Sequence, residues 1–425
     1  MKQIYTAKFL ISGNAPPLED GALLVHAGMI AGIGSRKDIT RNHPGIEVVD
    51  FSDALIVPLL INAHTHLELT DFPLWVAKAD EDSPPGDFVD WILRLIRVKQ
   101  KLTEKQYRDS LRHGIDQSIA AGTGAVGDIL SQHGLRNIYQ NCSLPGLLFL
   151  ETLGQDPAFI CRLRAGLNDA LDDEIVGKLE LGISPHSPYT ISLDYLQSLY
   201  RQCRTRKIRC TTHVAESAHE VDFVKRGQGP LASRLYSYIG WENYTPEPSG
   251  LRPVEYLYQQ GGLFPENLLV HGVQLNADEI TLLAKNQMSL ALCPRSNATL
   301  NVGKAPVAEL YKAGVILALG TDSLASCDSL SIWDEMAFAH HWFEGQLDAP
   351  TLFSMATQGG AQALGIKNEV GSLEIGKTAG FQILRPKTTV ASEDIFDYFV
   401  SPACASDIIQ VYHQGRPQLS ASFAE

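Results

Sequence analysis

The sequence predicts an α/β protein, a (β/α)8 TIM barrel that carries a small β-sandwich domain formed by both chain termini. Along the middle of the chain, apolar runs of strand length alternate with segments of helical spacing. Strands that are apolar throughout and alternate with helices are typical of a parallel sheet covered by helices, and about eight such units suit a closed barrel. An open, doubly wound sheet is the alternative architecture.

The small domain is predicted from residues 1–57 and 366–425, where short strands follow turn signals. Near the N-terminus the predicted strands are Gln3–Ile11, Ala22–Val25, Met29–Ile33 and Glu47–Phe51. Near the C-terminus the strand-like segments are Gly371–Leu384 and Ile408–Tyr412. Residues 58–365 are assigned to the catalytic barrel.

The barrel strands are predicted at Ala54–Asn62, Gly124–Ile129, Gly146–Leu150, Leu179–Ser184, Ile208–His213, Leu268–His271, Met288–Leu292 and Val315–Gly320. The helices predicted between them include Phe88–Lys99, Glu104–Ala121, Leu193–Arg204, Ala277–Asn286 and Ser329–Phe343. One long interruption, residues 228–264, contains Gly, Pro and aromatic residues. Insertions of this length on a barrel are usually functional, so we expect a lid or substrate cap there, with an inert loop as the alternative.

The composition excludes several classes of function. A net charge of −13 provides no dense basic face for nucleic acid or acidic lipid. The seven cysteines form no CxxC pair, as expected for free thiols in a reducing compartment. No signal peptide is visible, and no stretch approaches the ~20 apolar residues of a membrane span. We therefore expect a cytoplasmic enzyme whose partner is a small molecule, and a homo-oligomer is compatible with the sequence.

Histidines stand where predicted barrel strands end. His64 and His66 are two residues apart, a spacing that places both imidazoles on one side of a strand, here the inside of the barrel mouth. His213 and His271 end two later strands. Each one alone could equally be a structural histidine, but the catalytic groups of barrels collect at these strand ends. Four histidines at one rim therefore indicate a metal site.

Two carboxylates accompany these histidines. Asp322 follows the eighth predicted strand, where a buried carboxylate is costly without a metal ion or a cationic partner. Imidazoles and one carboxylate form a suitable ligand set for a divalent ion such as zinc. Glu216 lies three residues after His213, close enough to move protons at the metal. Its alternative role is to stabilise the N-terminal end of the following helix.

The chain resembles the amidohydrolase superfamily, in the branch of cytosine, guanine and adenosine-derivative deaminases and chlorohydrolases. The motifs that carry the resemblance are NAHTH at 62–66, HVAE at 213–216, VHG at 270–272, CPRSN at 293–297 and LGTDS at 319–323. The similarity extends over nearly the whole chain, including the closing motif GSLEIGKTAGFQIL at 371–384.

The resemblance implies a set of metal ligands and three roles in catalysis. The implied ligands of one divalent ion, zinc or iron, are His64, His66, His213 and Asp322. His271 would contact the attacking water, and Glu216 would pass a proton to a ring nitrogen of the substrate. Asp322 would also take the proton from the water. Binuclear relatives use a lysine at the end of the fourth strand, which this sequence lacks, so one ion is expected.

The segment LGISPHSPYT at 181–190 resembles deaminases that act on adenosine derivatives. The implied reaction is attack of metal-bound hydroxide on the amino-bearing ring carbon of aminodeoxyfutalosine, S-adenosylhomocysteine or a methylthioadenosine-like nucleoside, with release of ammonia. His186 would contact the nucleoside and Asp90 the ribose hydroxyls; the alternatives are a capped loop histidine and helix capping. Candidates to bind a substrate anion are Arg94, Arg97 and Arg295.

Two alternatives to a nucleoside deaminase stay open at this point. The same ligand set would support deamination or dechlorination of a free nucleobase or a triazine. A barrel retained as a non-catalytic binding protein is the second alternative, but such proteins typically lose metal ligands that this chain keeps.

Overall fold

The computed structural model describes residues 2–79, 83–172 and 177–418. The ends of the predicted small domain, residue 1 and residues 419–425, lie outside the described residues. The strands, in chain order, are β1 (Lys2–Leu10), β2 (Leu18–His26), β3 (Met29–Ser35), β4 (Val48–Asp50), β5 (Leu55–Pro58), β6 (Leu60–Thr65), β7 (Thr123–Leu130), β8 (Gly146–Thr152), β9 (Leu179–Pro185), β10 (Cys210–Val214), β11 (Asn267–His271), β12 (Ser289–Leu292), β13 (Ile316–Leu319), β14 (Phe381–Leu384), β15 (Ile408–His413) and β16 (Arg416–Pro417).

The α-helices lie mainly between the strands of the middle of the chain. They are α1 (Arg36–Asn42), α2 (Phe72–Lys78), α3 (Phe88–Lys99), α4 (Glu104–Ala120), α5 (Pro157–Leu171), α6 (Leu193–Arg206), α7 (Ala218–Arg226), α8 (Ser237–Ile239), α9 (Pro253–Gln259), α10 (Ala277–Lys285), α11 (Pro294–Thr299), α12 (Val307–Lys312), α13 (Ile332–Trp342), α14 (Ala349–Ser354), α15 (Gly360–Ala363) and α16 (Ile395–Phe399). Short 3-10 or π-helical segments are Leu67–Leu69, His133–Asn141, Leu231–Tyr236, Glu242–Tyr244, Met355–Gly359, Ser392–Asp394 and Cys404–Asp407.

Strands β6 to β13 form a parallel sheet in which each strand pairs with the next along the chain. The sheet closes on itself where Thr65 of β6 bridges Asp322, just beyond β13. There the N–H of Asp322 donates to the carbonyl of His64 at 3.1 Å, and the N–H of His66 donates to the carbonyl of Asp322 at 3.2 Å. The prediction of a closed (β/α)8 barrel is confirmed.

A second sheet is built from both chain ends, in the order β16-β15-β14-β5-β1-β2-β3, with β4 also paired to β1. Most of its pairings are antiparallel, which allows one face to be packed and the other solvated. Its core includes a cluster of aromatic rings in which Tyr5 meets Phe381 at 4.9 Å and Tyr412 at 5.1 Å between centroids. Residues from both termini therefore hold this sheet together, as the sequence predicts.

The expected first barrel strand, Ala54–Asn62, is divided between the two sheets. β5 pairs with β1 and β14 in the terminal sheet, whereas β6 begins at Leu60 and pairs with β7 in the barrel. Pro58 ends β5 because a proline has no N–H to continue the ladder. The N–H of Leu59 then donates to Gly380 at 3.4 Å and that of Leu60 to Gly122 at 3.0 Å. The apolar run is continuous, so hydrophobicity alone does not reveal this break.

The insertion at 228–264 is folded and packed. Leu235 and Tyr236 of its π-helical turn are buried against Phe88 of α3 and Phe223 of α7. The insertion therefore contributes to the wall of the barrel mouth. Among the described residues, no helix combines the length and the apolar character needed to cross a membrane.

Candidate metal centre and active site

Three imidazoles meet at the carboxyl ends of the barrel strands. His64 and His66 lie on and just after β6, and His213 lies on β10. One ligand atom from each of the three histidines lies within 4.8 Å of the others. The spacing of two residues on β6 brings His64 and His66 to the same side, with their ring centroids 5.0 Å apart. These three side chains can share one ion.

The carboxylate of Asp322 completes the cluster. Its Oδ1 lies 3.6 Å from Nε2 of His64 and 3.5 Å from Nε2 of His66. Its Oδ2 accepts hydrogen bonds from the hydroxyls of Ser296 at 2.7 Å and Ser326 at 2.8 Å. Burial would raise the pKa of Asp322, but the adjoining histidines lower it well below its usual range. The carboxylate is therefore ionised, with one oxygen fixed by serines and the other facing the imidazoles.

The chemistry of these donors fits a divalent cation. His64 is 1% exposed, and neither of its ring nitrogens has a hydrogen-bond partner among the described residues. Nδ1 of His213 donates to the carbonyl of His186 at 2.8 Å, which leaves Nε2 as a lone-pair donor. Burial and then the neighbouring His64 lower the pKa of His66 to about 3, so this imidazole is neutral. Neutral imidazoles and one carboxylate are ligands of zinc and of iron.

Glu216 and His271 form a second pair at the rim. Nε2 of His271 lies 3.5 Å from Oε1 of Glu216, and its Nδ1 donates to the amide oxygen of Asn297 at 3.0 Å. Burial raises the pKa of Glu216 well above its usual range, and burial lowers the pKa of His271 to about 4. Burial therefore favours the uncharged form of both groups, a carboxylic acid at Glu216 and a neutral imidazole at His271.

The backbone at three strand ends is strained. Ala215 after β10, His271 at the end of β11 and Asp322 after β13 have φ angles of 52°, 73° and 57°. Non-glycine residues pay about 1–3 kcal/mol for such conformations, which persist where the surroundings impose them. These turns orient His271 and Asp322 at the barrel mouth.

Glu220 holds the backbone conformation after β10, a role that the sequence motifs did not indicate. This carboxyl group, on α7, is fully buried, and its two oxygens accept the N–H groups of Ala215 at 2.8 Å and Glu216 at 2.9 Å. Burial raises the pKa of Glu220 to about 8. A signal exists in the pattern Ser217-x-x-Glu220, which marks the N-terminal end of a helix and directs the glutamate carboxyl group back to the N–H groups that precede the helix.

A cavity of about 680 Å³ opens onto this cluster, with His66, His213, Glu216, His271 and Asp322 all in its wall. A volume of this size suits a small-molecule ligand. Much of the remaining wall is apolar and includes residues from α3 and from the insertion at 228–264, namely Trp91, Ile92, Leu95, Leu235, Ile239 and Trp241. The segment expected to be a lid thus forms part of the cavity.

Of the expected substrate contacts, His186 lines the cavity, whereas Asp90 and Arg295 do not. Nδ1 of His186 lies 2.9 Å from Oγ1 of Thr190. Asp90 is ion-paired with Arg234 of the insertion. Arg295 is ion-paired with Asp328 and bonded to the carbonyl of Ser329 at 3.3 Å.

The two other arginines that the sequence suggested also stay out of this wall. Arg94 borders a separate cleft beside Trp91, and Arg97 is not among the residues around the large cavity. No arginine of the described residues lines the cavity.

Two charged residues in the cavity wall, Lys99 and Glu151, were not anticipated from the sequence. Lys99 ends α3, and its Nζ lies 3.6 Å from the buried carboxylate of Glu68. Burial would raise the pKa of Glu151, but nearby His186 and Lys99 hold it below its usual value. They are 52 positions apart in the sequence, and no local motif connects them.

Comparisons with known proteins agree with this architecture. The profile of the amidohydrolase family matches residues 55–417. An aminodeoxyfutalosine deaminase of Deinococcus radiodurans is 29% identical over 373 residues, which cover 85% of this chain and 86% of the relative. A 5-methylthioadenosine/S-adenosylhomocysteine deaminase of Halobacterium salinarum is 30% identical over 388 residues, covering 86% and 80%. The crystal structure of Helicobacter pylori aminofutalosine deaminase with methylthio-coformycin has a TM-score of 0.82 at 22% identity, covering 98% and 100%.

Proposed function

The chain belongs to the amidohydrolase family and is a hydrolase that acts on C–N bonds, and from this premise we propose that it is a metal-dependent deaminase of an adenosine-type nucleoside derivative. The observation that carries the proposal is that a set of candidate metal ligands and the buried carboxyl group of Glu216 lie in the wall of one cavity. The curated relatives named for nucleoside deamination support the substrate class. Aminodeoxyfutalosine, S-adenosylhomocysteine and methylthioadenosine are the candidate substrates.

The residues that would hold the ion are His64, His66, His213 and Asp322. Once bound, a divalent ion lowers the pKa of a water molecule from 15.7 to about 7 and so provides a nucleophile at neutral pH. β9 ends in Pro185 and offers no lysine to bridge a second ion, so one ion is proposed. Both zinc and iron accept this ligand set.

Asp322 is proposed to accept the proton of the attacking water. The two serine hydroxyls on Oδ2 fix the rotation of the carboxylate and leave Oδ1 directed toward the histidines. His271 is proposed to orient the water and to stabilise the tetrahedral centre, since Asn297 fixes its tautomer and the ring cannot turn away.

Glu216 is proposed to donate a proton to the adenine ring nitrogen next to the reacting carbon. Burial raises the pKa of Glu216 and so favours the protonated form that a proton donor requires. The oxygen of water then adds to the ring carbon that bears the amino group. The proton held by Asp322 passes to that amino group, the C–N bond breaks and ammonia leaves. The hydroxyl that remains on the ring carbon then returns a proton to the Glu216 carboxylate and becomes the carbonyl of the hypoxanthine product, which restores the acid.

The test is turnover by the metal-loaded full chain. Adenosine, 5′-methylthioadenosine, S-adenosylhomocysteine and aminodeoxyfutalosine are each incubated with the enzyme, and the adenine-to-hypoxanthine absorbance change and the released ammonia are measured together. We expect equal amounts of both products from at least one nucleoside. Asp322→Asn serves as the matched inactive control, because it keeps the size of the side chain.

Lack of turnover across this panel would refute the nucleoside assignment and leave the hydrolase family standing. Faster turnover of free adenine, guanine, cytosine or a triazine than of any nucleoside would instead favour a deaminase or chlorohydrolase of free bases.

A further inference from the structure

Glu151 offers an unused carboxylate to the ligand cavity. It is the penultimate residue of β8, partly buried, and it shares the cavity wall with His66, His213 and Asp322. Its backbone carbonyl is occupied by Nε2 of His133 at 2.8 Å. Among residues 2–79, 83–172 and 177–418, no side chain or N–H group forms a hydrogen bond or ion pair with the carboxylate itself. A partly buried carboxylate without a protein partner needs a hydrogen-bond donor, which a ligand can supply.

Lys99 places an ammonium group on the same wall. Its side chain is 24% exposed, and Nζ donates to the hydroxyl of Ser131 at 3.1 Å. Glu68, 3.6 Å away, already accepts the N–H groups of Ser131 and Gln132, each at 3.1 Å. Lys99 and Glu151 influence each other electrostatically without being within 4.0 Å. The wall thus presents a donor and an acceptor with a gap between them.

The charges on this wall determine which kind of ligand group can bind between Lys99 and Glu151. A carboxylate or phosphate would be repelled by Glu151 and Glu68, and an ammonium group would be repelled by Lys99. A hydroxyl group both donates and accepts, so two adjacent hydroxyls can donate to Glu151 and accept from Lys99. A neutral vicinal diol is therefore the best complement.

We propose that Glu151 and Lys99 form the subsite that binds the vicinal hydroxyls of a ribose and so select ribonucleosides over deoxyribonucleosides. The inference rests on the proposed function, which places a nucleoside in this cavity. It replaces Asp90, whose carboxylate is ion-paired with Arg234 and does not line the cavity. Glu151 is thus assigned as the acceptor that binds the sugar.

The test compares adenosine with 2′,3′-dideoxyadenosine, which lacks both hydroxyls, on the metal-loaded full chain. We expect the wild type to favour adenosine in kcat/KM by about 100-fold, because a site built to bind a hydroxyl rejects analogues that lack it. Glu151→Gln should lower kcat/KM for adenosine about 10- to 100-fold, mostly through KM. Glu151→Gln should change kcat/KM for 2′,3′-dideoxyadenosine by no more than about twofold, so the preference for adenosine should be lost.

Asp90→Asn is the matched control, since it neutralises a carboxylate near the cavity that does not line it. It should retain the wild-type preference for adenosine. Equal losses on both nucleosides in Glu151→Gln would indicate a purely structural role and overturn the subsite. A wild type without preference would overturn it as well.

A binding measurement separates failure of this subsite from failure of the proposed function. Trp91 and Trp241 line the cavity, so both nucleosides can be titrated against tryptophan fluorescence even if neither is turned over. Tighter binding of adenosine that is lost in Glu151→Gln supports the subsite without any catalysis. Equal binding of the two nucleosides, or binding of neither, contradicts it.

Discussion

The carboxyl group of Glu220 accepts the backbone N–H of Glu216 at 2.9 Å. Through its other oxygen it also accepts the N–H of Ala215 at 2.8 Å, so one buried side chain holds the turn that carries the proposed proton donor. Glu220 is therefore a positioning residue: it would affect the proposed reaction only by fixing the position of Glu216.

We expect Glu220→Gln to lower kcat/KM at least tenfold. The amide NH2 of glutamine would face one of the two N–H groups, and a buried donor left without an acceptor costs about 1–3 kcal/mol. The measurement is kcat/KM together with urea unfolding, and metal content should be unchanged. Asp222→Asn, on the exposed face of the same helix, is the matched control and should behave like the wild type. Unaltered kinetics in Glu220→Gln would contradict the positioning role.

The histidine cluster predicts that activity and metal content decline together. His64→Ala should lower bound metal, measured by atomic emission, and reduce kcat/KM at least 100-fold, in line with the loss of a ligand from a catalytic ion. The apo wild type should unfold at a lower temperature than the loaded protein, because an ion that binds only the folded state stabilises it. His113→Ala, a substitution of an exposed histidine, should change neither the metal content nor kcat/KM. A fully loaded and active His64→Ala protein would refute the ligand assignment.

Glu216→Gln should separate chemistry from metal binding. The loss of a positioned acid typically costs about 10²- to 10⁴-fold, so kcat should fall within this range while KM changes little. Metal content should stay at the wild-type value, since Glu216 is not one of the proposed ligands. A variant that loses its metal would instead make Glu216 part of the ligand set.

Asp128 predicts an unusual dependence of stability on pH. It accepts the N–H of Leu67 at 2.8 Å and the hydroxyl of Tyr139, and burial raises its pKa to about 8. The unfolded chain releases this proton above about pH 4, whereas the folded protein keeps it up to about pH 8. The stability that this group contributes is therefore complete below about pH 4 and is lost as the pH rises to about 8.

Asp128→Asn resembles the protonated carboxyl group in shape and has no proton to lose. Urea unfolding of both apo proteins between pH 5 and pH 8 should show the wild type losing stability relative to the variant, on the order of a few kcal/mol. A wild type that gains stability relative to the variant over this range would show that Asp128 is ionised in the folded protein.

The cavity wall predicts a preference for uncharged 5′ substituents. Apart from histidines, Lys99 is the one cation among the described residues that line the cavity, and Glu68 lies 3.6 Å from it. A carboxylate on the substrate would thus be desolvated without a free partner. We expect kcat/KM for 5′-methylthioadenosine to exceed that for the carboxylate-bearing aminodeoxyfutalosine about tenfold or more. The opposite order would mean that a cation outside this wall reaches the substrate.

The sequence predicts the barrel and the residues at its mouth, because the apolar strands and the points where they end can be recognised from the residue pattern. His213 lies one residue before the end of β10 and His271 ends β11, and the carboxyl ends of barrel strands lie at the barrel mouth. The orientation of Asp90 and Arg295 could not be read in this way, since each is set by an ion pair with a residue distant in the sequence, Arg234 in the first case.

The same limit explains which parts of the site the sequence did not reveal. Lys99 lies at the end of a helix and Glu151 near the end of a strand, and the fold alone brings them to one cavity. The apolar run from Ala54 to Asn62 likewise hides the break at Leu59, because both of its halves are buried in a sheet.

The closure of the barrel between β6 and the residues after β13 has a consequence for folding during synthesis. Thr65 and Asp322, joined by a hydrogen bond of 2.9 Å, lie 257 positions apart. A chain emerging from the ribosome exposes His64 and His66 early but receives Asp322 only after most of its length has been synthesised. Pairing across so long a loop is intrinsically slow, so the proposed ion site would be completed at a late step of folding. With the proposed ligands, full metal binding would require a closed barrel, because a partly synthesised chain would carry the imidazoles without the carboxylate of Asp322.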